Sequence, residues 1–290
     1  MSGVAVVTDS TSSLPPSLAE QHGLVVVPLQ VVVDGTSRPE SFRPDPGSVT
    51  PGAVAAALRE GRTVSTSRPS PEAFSSAYAA VADAGARAIV SVHLSSAISG
   101  TCDAAGQAAR SAGVPVHVVD SRTVGPGCGF AALAAAEAVA AGASAEEAAE
   151  VARRRAAAST TYFCVENLEY LRRGGRIGTA QALLGSALAV KPLLTVTDGR
   201  IESLERVRTM SRALNRLQEL AATAVSGGAV ADVVVVHLDN RSAADRLAHA
   251  VRAQGGSATV TVSEVSSVLG VHCGPGTIGV VVAPRLSPTH

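Results

Sequence analysis

The first half of the chain alternates short runs of apolar, mostly β-branched residues with longer helical segments. The apolar runs span residues 4–7, 88–92 and 116–119. Because buried strands that alternate with helices form βαβ units, this order predicts a parallel sheet covered by helices. Helix-start signals, each a hydroxyl residue or a glycine at the first turn, lie between the runs. These signals are Thr50-Pro51, Ser70-Pro71 and Gly100-Thr101.

Further segments complete the first half. Residues 24–33, followed by Asp34-Gly35, predict one more strand that ends in a tight turn. Residues 41–52 are rich in Pro, Ser and Gly and predict a surface loop. Residues 129–141 and 144–158 predict two helices that lead away from the sheet.

The second half begins with a hairpin signal. Thr197-Asp198-Gly199 lies between two strand-like runs, and an Asp-Gly pair in that position is typical of a tight β-turn. Helices and strands alternate after it. The predicted strands are 188–196, 200–207, 233–237, 258–262 and 278–283, and the predicted helices are 210–224 and 243–254.

The order of predicted strands and helices differs between the two halves of the chain. This difference predicts an α/β protein with two domains. Residues 1–158 are expected to form an N-terminal, Rossmann-like α/β domain built on a parallel sheet. Residues 159–290 are expected to form a C-terminal α/β domain whose mixed or mainly antiparallel sheet is flanked by helices. With 290 residues and 46% hydrophobic content, the chain can bury a core in each.

Charge and composition argue against several kinds of partner. The 24 basic and 24 acidic residues give a formal net charge of zero, so no overall field attracts nucleic acid or an anionic membrane surface. Apolar stretches such as residues 131–141 are too short to span a bilayer. The four cysteines are far apart, and the N-terminus lacks the order of a signal peptide. We therefore expect a cytoplasmic protein with no nucleic-acid partner and no integral membrane association.

Hydroxyl side chains are concentrated directly after the predicted parallel strands. The carboxyl ends of such strands border the ligand crevice of open α/β sheets. Hydroxyls that converge there would form a neutral cradle for a carboxylate or a phosphate. The alternative is that each Ser or Thr caps a helix or closes a turn. The hydroxyl-rich segments are residues 8–13, 65–67, 95–101 and 120–123.

Signatures of nucleotide and metal sites are missing from the sequence. Residues 125–129 lack the glycine spacing of a dinucleotide-binding loop, and residues 270–279 lack the Gly-Lys-Ser/Thr ending of a phosphate loop. No His pair has metal-ligand spacing. We expect no cofactor and no metal. One alternative function stays open, a free-standing small-molecule phosphotransferase or hydrolase that uses Asp9 and Asp120, and another is an interaction module without a ligand.

Taken together, short segments along the whole chain resemble the bacterial DegV family. The resemblance implies a two-domain α/β protein that is not itself an enzyme. Such a protein holds one long-chain fatty acid in a tunnel between its domains and presents the carboxyl group to the catalytic subunit of fatty acid kinase. That partner uses ATP to make the acyl phosphate. The segments are Thr8-Asp9-Ser10-Thr11, Thr66-Ser67-Arg68-Pro69-Ser70, Ser95-Ser96-Ala97-Ile98-Ser99-Gly100-Thr101, Val119-Asp120-Ser121, Leu168-Glu169-Tyr170-Leu171-Arg172-Arg173-Gly174-Gly175-Arg176-Ile177, Lys191-Pro192-Leu193-Leu194 and His272-Cys273-Gly274-Pro275-Gly276.

The resemblance also implies roles for single residues. Thr66 and Ser99 match the two hydroxyls that bind the carboxylate in the family, and His272 matches a histidine beside the same group. Gly100 lets the ligand approach the start of a helix, where free N–H groups favour an anion. The family's partner-docking arginines are matched by Arg176 and by Arg206 or Arg208, and which of the latter two contacts the partner stays open. The alternative is that Gly174, after Arg172 and Arg173, marks an ordinary helix end.

The chain departs from the family pattern at several positions. Arg68 stands where the family commonly has Gln, and residues 103–105 read Asp-Ala-Ala in place of a Gln-Ser-Ala ending. Residues 37–51 lack the aromatic and acidic residues often found there, so the tunnel rim is expected to differ. With four Phe, three Tyr and no Trp, the tunnel lining is expected to be mostly aliphatic. Acyl chain length and saturation stay open.

Overall fold

The structure is a computed structural model that describes residues 3–183, 190–225, 230–254 and 258–286. These residues form two α/β domains, as the sequence predicts. The N-terminal domain contains a parallel sheet and a small antiparallel sheet, and the C-terminal domain is built on a larger mixed sheet. In the described ranges, no helix is both long and apolar enough to cross a membrane.

The parallel sheet is covered by helices on both faces. Side chains of successive strand residues point to opposite faces, so Val6 and Val7 enter different cores. Val7 lies in a core with Phe74 and Ala104, and Val6 lies in a second core with Ala131 and Ala148. The strands, in sheet order, are β2 (Leu24–Val27), β1 (Val4–Asp9), β6 (Ala88–His93) and β7 (Val116–Asp120). The helices are α1 (Pro16–Gln21), α3 (Pro71–Asp83), α4 (Thr101–Ala109), α5 (Pro126–Ala140) and α6 (Ala145–Ala158).

The prediction that the helices near residues 129–141 and 144–158 lead away from the sheet is wrong. Buried alanines such as Ala131 of α5 and Ala148 of α6 share one core with Val90 of the parallel sheet. A helix that is apolar on all sides needs cover on all sides. α5 obtains it by packing against β1 and β6 of this sheet, beside α6, and against the C-terminal sheet, and its alanine side chains permit a close approach.

Residues 24–33 form two strands instead of the single predicted strand. β2 ends before Pro28, which has no N–H to donate, and the chain then enters a separate antiparallel sheet. The predicted turn at Asp34-Gly35 is confirmed, because both residues have the positive φ that a two-residue hairpin requires, 48° and 82°. The sheet has the order β4 (Thr36–Pro39), β3 (Gln30–Val33) and β5 (Val64–Ser67), and α2 (Pro51–Arg59) precedes β5.

The C-terminal sheet presents one face to helices and the other to the N-terminal domain. Val233 and Val235 enter a core with α8 and α9, whereas Val234 and Val236 lie on the opposite face. β11 and β12 are parallel, and the other neighbours are antiparallel. The strands, in sheet order, are β10 (Arg200–Val207), β9 (Lys191–Thr197), β8 (Thr160–Cys164), β13 (Ile278–Pro284), β11 (Ala231–His237) and β12 (Ala258–Glu264). The helices are α8 (Met210–Val225) and α9 (Arg241–Ala253).

The predicted elements of this half are largely confirmed. The hairpin joins β9 to β10 through Asp198 and Gly199, both with positive φ. Of the predicted strand 188–196, residues 188 and 189 lie outside the described residues. A short helix, α7 (Glu169–Arg173), ends at Gly174, as the helix-end alternative for that segment expects. The sequence did not predict a second short helix, α10 (Ser267–Cys273).

Helix α10 comes late in the chain but is bonded to the N-terminal domain. The backbone N–H of Val268 donates to the buried Glu40 carboxylate over 2.8 Å, and the Ser267 hydroxyl donates to the Val49 carbonyl over 2.9 Å. On its other side α10 packs against α7. Helix α10 therefore brings residues near position 272 to the N-terminal domain.

Candidate functional site

A cavity of about 380 Å³ lies between the loops that follow β6 and β7 and the inner face of the C-terminal sheet. Most of its wall is aliphatic, as the sequence predicts, and one aromatic ring, that of Phe163, contributes to it. The volume lies in the range of small-molecule sites in proteins. The apolar lining residues are Leu29, Leu94, Ile98, Val124, Pro126, Phe163, Leu171, Ile201, Val236, Val265, Val268, Leu269, Cys273 and Val281.

Five polar lining residues form a group that we call the polar cluster (Thr66, Arg68, Ser99, Arg176 and His272). Ser67, Thr161 and Thr277 line the cavity as well. Thr66 contacts His272, and Arg68 reaches Gly100, next to Ser99. Arg176 bonds to Ile98 on the other side of Ser99. The cavity thus combines an aliphatic wall with a concentrated group of hydrogen-bond donors.

Two of these residues are far apart in the sequence but in direct contact. Thr66 lies on β5, His272 lies on α10, and Thr66 Oγ1 is 2.8 Å from His272 Nε2. The ring of His272 lies against Gly174, where an added Cβ would overlap Nδ1. Glycine at position 174 therefore makes room for the imidazole beside Thr66.

His272 is neutral at physiological pH. Burial, and then the nearby Arg176 guanidinium, lower the pKa of His272 from 6.5 to about 4. Its Nδ1 atom is buried and has no hydrogen-bond partner among the described residues. A buried N–H without an acceptor is rarer than an unpaired acceptor, so we assign the proton to Nε2. In that tautomer His272 donates to Thr66, and the Thr66 hydroxyl keeps its own proton for a ligand.

Ser99 and Gly100 stand at the start of α4. Ser99 Oγ lies 2.9 Å from Thr101 Oγ1, and Gly100 is the N-cap residue of α4, which no side chain caps. The backbone N–H groups of a first helical turn carry partial positive charge and attract anions. The structure thus places Thr66, Ser99, Gly100 and His272 in the wall of one cavity.

The three predicted docking arginines occupy different places. Arg176 lies in the cavity wall, half-buried, and donates to the backbone carbonyls of Ile98, over 3.0 Å, and of Gly174. Arg206 on β10 and Arg208 beyond it are exposed, and neither lines the cavity. Their role toward a partner stays a prediction.

Arg68 is a functional candidate that sequence reasoning did not identify. It is exposed and lines the cavity, and its Nη1 atom donates to the Gly100 carbonyl over 3.2 Å. The sequence signal was available, since Arg68 lies two residues after Thr66 in the same hydroxyl-rich segment. Within the family resemblance, Arg68 is marked only as a departure from the common Gln.

The carboxylates of the alternative enzyme function already have hydrogen-bond partners. Asp9 is fully buried and accepts from His93 Nδ1 over 3.0 Å and from the backbone N–H groups of Thr11 and Leu94. Asp120 accepts from the Ser96 hydroxyl and from backbone N–H groups of neighbouring loops. Neither residue lines the cavity. This geometry holds strand-end loops in place and gives the phosphotransferase or hydrolase alternative no support.

The hydroxyl-rich segments do not all converge on the cavity. Segments 65–67 and 95–101 supply hydroxyls to its wall, whereas the described hydroxyls of segments 8–13 and 120–123 do not line it. Ser10, for example, donates to Glu40, and Thr11 donates to Asp9. In the part of the chain that the structure describes, no three His, Cys, Asp or Glu side chains form a group that could hold a metal ion.

Comparisons with known proteins agree with this architecture. The family model described as "Uncharacterised protein, DegV family" matches residues 3–285. A DegV domain-containing protein of Streptomyces coelicolor is 50% identical over 283 residues, which are 97% of this chain and 99% of the relative.

Two solved structures are similar over nearly their whole length. The structure described as fatty acid binding of a DegV family protein from Thermus thermophilus has a TM-score of 0.90 and 34% identity, and it covers 97% of this chain and 99% of its own. DegV, a fatty acid binding protein from Bacillus subtilis, has a TM-score of 0.89 and 30% identity at the same coverage. The family match and these relatives together show that this chain belongs to the DegV family.

Proposed function

We propose that the protein binds one long-chain fatty acid in the cavity between its domains. The observation that carries this proposal is a mostly aliphatic cavity wall in which the polar cluster holds the charged side chains. A fatty acid has the same division between tail and carboxylate. Solved relatives at 34% and 30% identity are described as fatty acid binding, which supports the proposal.

The acyl tail supplies most of the affinity. Each buried methylene contributes roughly 0.8 kcal/mol, so about fourteen methylenes contribute on the order of 11 kcal/mol before the cost of association. A neutral hydrogen bond contributes only about 1 kcal/mol in net terms. The polar cluster therefore orients the carboxylate more than it retains the lipid.

Each polar residue has a distinct role in this arrangement. The Thr66 hydroxyl, supported by His272, donates to one carboxylate oxygen. Ser99 and the first turn of α4 donate to the carboxylate from the other side of the cavity. Gly100 allows the head group to approach the backbone, and Arg176 supplies positive charge in the wall.

We further propose that the bound acid is presented to a partner, the catalytic subunit of an ATP-dependent fatty acid kinase, which makes the acyl phosphate for phospholipid metabolism. In this scheme Arg176, together with Arg206 or Arg208, docks the partner. The exposure of Arg206 and Arg208 suits that role. Because the partner uses ATP, we place the protein in the bacterial cytoplasm. We keep the domain boundary between residues 158 and 159, where α6 gives way to β8.

Mass spectrometry of the purified protein after denaturing extraction tests lipid binding. We expect one co-purified fatty acid per chain. Protein that neither carries a fatty acid nor takes one up from a supplied mixture contradicts the proposal. Adding ATP and the kinase subunit then tests presentation, because the protein alone should release no phosphate from ATP. Steady ATP turnover by the isolated chain, abolished by Asp9→Asn, would favour the alternative enzyme function.

A further inference from the structure

The wall of the cavity carries more positive charge than one carboxylate can neutralise. Arg68 and Arg176 both line it, and the lining contains no Asp or Glu. Guanidinium groups stay charged at physiological pH, and His272 is neutral there. The fixed charge around an empty cavity is therefore +2, whereas a bound fatty acid brings −1.

Neither arginine is neutralised by a neighbouring acid. Arg68 donates to the carbonyl of Gly100, and Arg176 donates to the carbonyls of Ile98 and Gly174. Within the described ranges, neither guanidinium forms a salt bridge to a carboxylate. Several other arginines do form salt bridges, for example Arg172 with Glu169. Both cavity arginines are thus available to an anionic ligand.

The position of Arg68 makes the excess of positive charge around the cavity more unfavourable. Its Nη1 atom lies so close to the Cα of Gly100 that an added Cβ would overlap it. Gly100 is the N-cap of α4, the positive end of that helix. A cation at this end is unfavourable by itself, and the acid of the first turn, Asp103, forms no salt bridge with Arg68 within the described residues. Because a charged acceptor attracts a guanidinium more strongly than a carbonyl does, an anionic head group would draw Arg68 away from the Gly100 carbonyl.

We propose that Arg68 determines head-group specificity and makes this site prefer a lipid with a doubly charged phosphate, which is the acyl phosphate product of the proposed reaction or an alkyl phosphate, over a carboxylate. This inference rests on the proposed function, since it places the lipid tail in the same cavity. A phosphate monoester carries about −1.5 to −2 charges at pH 7 and three acceptor oxygens. It can therefore engage Arg176 and Arg68 together, and a carboxylate leaves one of them uncompensated.

Three sixteen-carbon ligands, palmitate, hexadecyl phosphate and hexadecanol, separate the head group from the tail. Delipidated protein is titrated with each by calorimetry. We expect wild-type protein to bind hexadecyl phosphate more tightly than palmitate. Arg68→Gln should weaken hexadecyl phosphate binding roughly 10- to 100-fold, the range expected for a lost charge-assisted hydrogen bond, palmitate by less, and hexadecanol not at all. Arg68→Lys should retain part of the preference because it keeps the charge.

Arg110→Gln is the matched control. Arg110 is also exposed, but it lies at the opposite end of the nine-residue α4, about 15 Å along the helix from Gly100. The control should leave all three affinities unchanged. Equal losses for palmitate and hexadecyl phosphate in Arg68→Gln, or no loss for either, overturn the role of Arg68 while leaving fatty acid binding intact. Wild-type protein that binds none of the three lipids overturns both this inference and the proposed function.

Discussion

At the scale of single residues, the polar cluster uses few of its hydrogen-bonding groups within the protein. Thr66 has His272 as its side-chain partner, and Ser99 has Thr101. A hydroxyl group can donate one hydrogen bond and accept two. Each of these side chains therefore keeps capacity for a ligand, while its position is already set by the partner.

Removing the hydroxyl of Thr66 or of Ser99 should impair presentation of the carboxyl group to the kinase more than it reduces the amount of bound lipid. Thr66→Ala and Ser99→Ala each lose a hydrogen bond to the carboxylate, at a cost of about 1–3 kcal/mol, but leave the tail contacts unchanged. We expect bound fatty acid near the wild-type amount and reduced acyl-phosphate formation with the kinase. Both quantities are measured for each variant and for the double variant, with Ser75→Ala on the exposed surface of α3 as control. Wild-type activity in the double variant would mean that the hydroxyls only cap local structure.

The low pKa of His272 predicts a pH dependence of stability. The unfolded chain binds a proton at this residue below pH 6.5, whereas the folded chain does so only near pH 4. The stabilisation from neutral His272 is therefore complete above pH 6.5 and is lost as the pH falls toward 4. The upper bound of this effect is roughly 3 kcal/mol. Urea unfolding at pH 7 and pH 4.5 should show a smaller decrease for His272→Gln than for wild type, and equal decreases would contradict the assignment.

At the scale of elements, the site depends on short segments that a sequence pattern does not reveal. Long apolar strands and alanine-rich helices were predicted from their periodicity, and their existence is confirmed. β5, which carries Thr66, has four residues and an alternating but mostly polar sequence. α10, which carries His272, has seven residues and no polar face to mark it as a helix. Tertiary contacts, such as the bond from Val268 to Glu40, define α10 instead.

The contact between α7 and α10 can be tested through one glycine. Gly174 has helical dihedral angles, so alanine is compatible with its backbone, but the added methyl group would overlap the His272 ring. Gly174→Ala should displace His272 from Thr66 and reduce acyl-phosphate formation. Gly106→Ala is the control, because position 106 lies within α4 with open space around it. Removing this helical glycine should stabilise the protein by about 0.5–1 kcal/mol without affecting the site. The His272 imidazole signals in NMR spectra report the displacement, and unchanged signals in Gly174→Ala would contradict it.

At the scale of the whole molecule, the cavity exists only because two domains face each other. Thr66 and His272 are 206 positions apart in the sequence yet in contact. Residue patterns indicated the α/β class and the ligand edge of the parallel sheet, and the family resemblance indicated which hydroxyls to consider. Neither could identify the residues that line the cavity from the C-terminal sheet, because Phe163, Val236 and Val281 look like ordinary core residues of a sheet. Their role follows from which face of that sheet the helices leave uncovered.

This arrangement separates the residues that hold the lipid from those that would meet a partner. Arg206 and Arg208 are exposed and lie outside the cavity wall, and neither forms a salt bridge in the described part of the chain. Surface charges act mainly on the rate and specificity of association. Arg206→Ala and Arg208→Ala should therefore keep the wild-type content of fatty acid while acyl-phosphate formation with the kinase decreases.

Arg176→Ala can be compared with the Arg206 and Arg208 variants in the same measurements of bound fatty acid and acyl-phosphate formation. If Arg176 acts only in docking, Arg176→Ala should behave like the two surface variants and retain its lipid. Loss of bound fatty acid in Arg176→Ala alone would instead assign this residue to the ligand, as its contact with Ile98 beside Ser99 permits. Salt provides an independent measure: the kinase reaction of wild type should slow as ionic strength rises, and the Arg206 and Arg208 variants should be less sensitive. Equal salt sensitivity in all the proteins would contradict docking through these arginines.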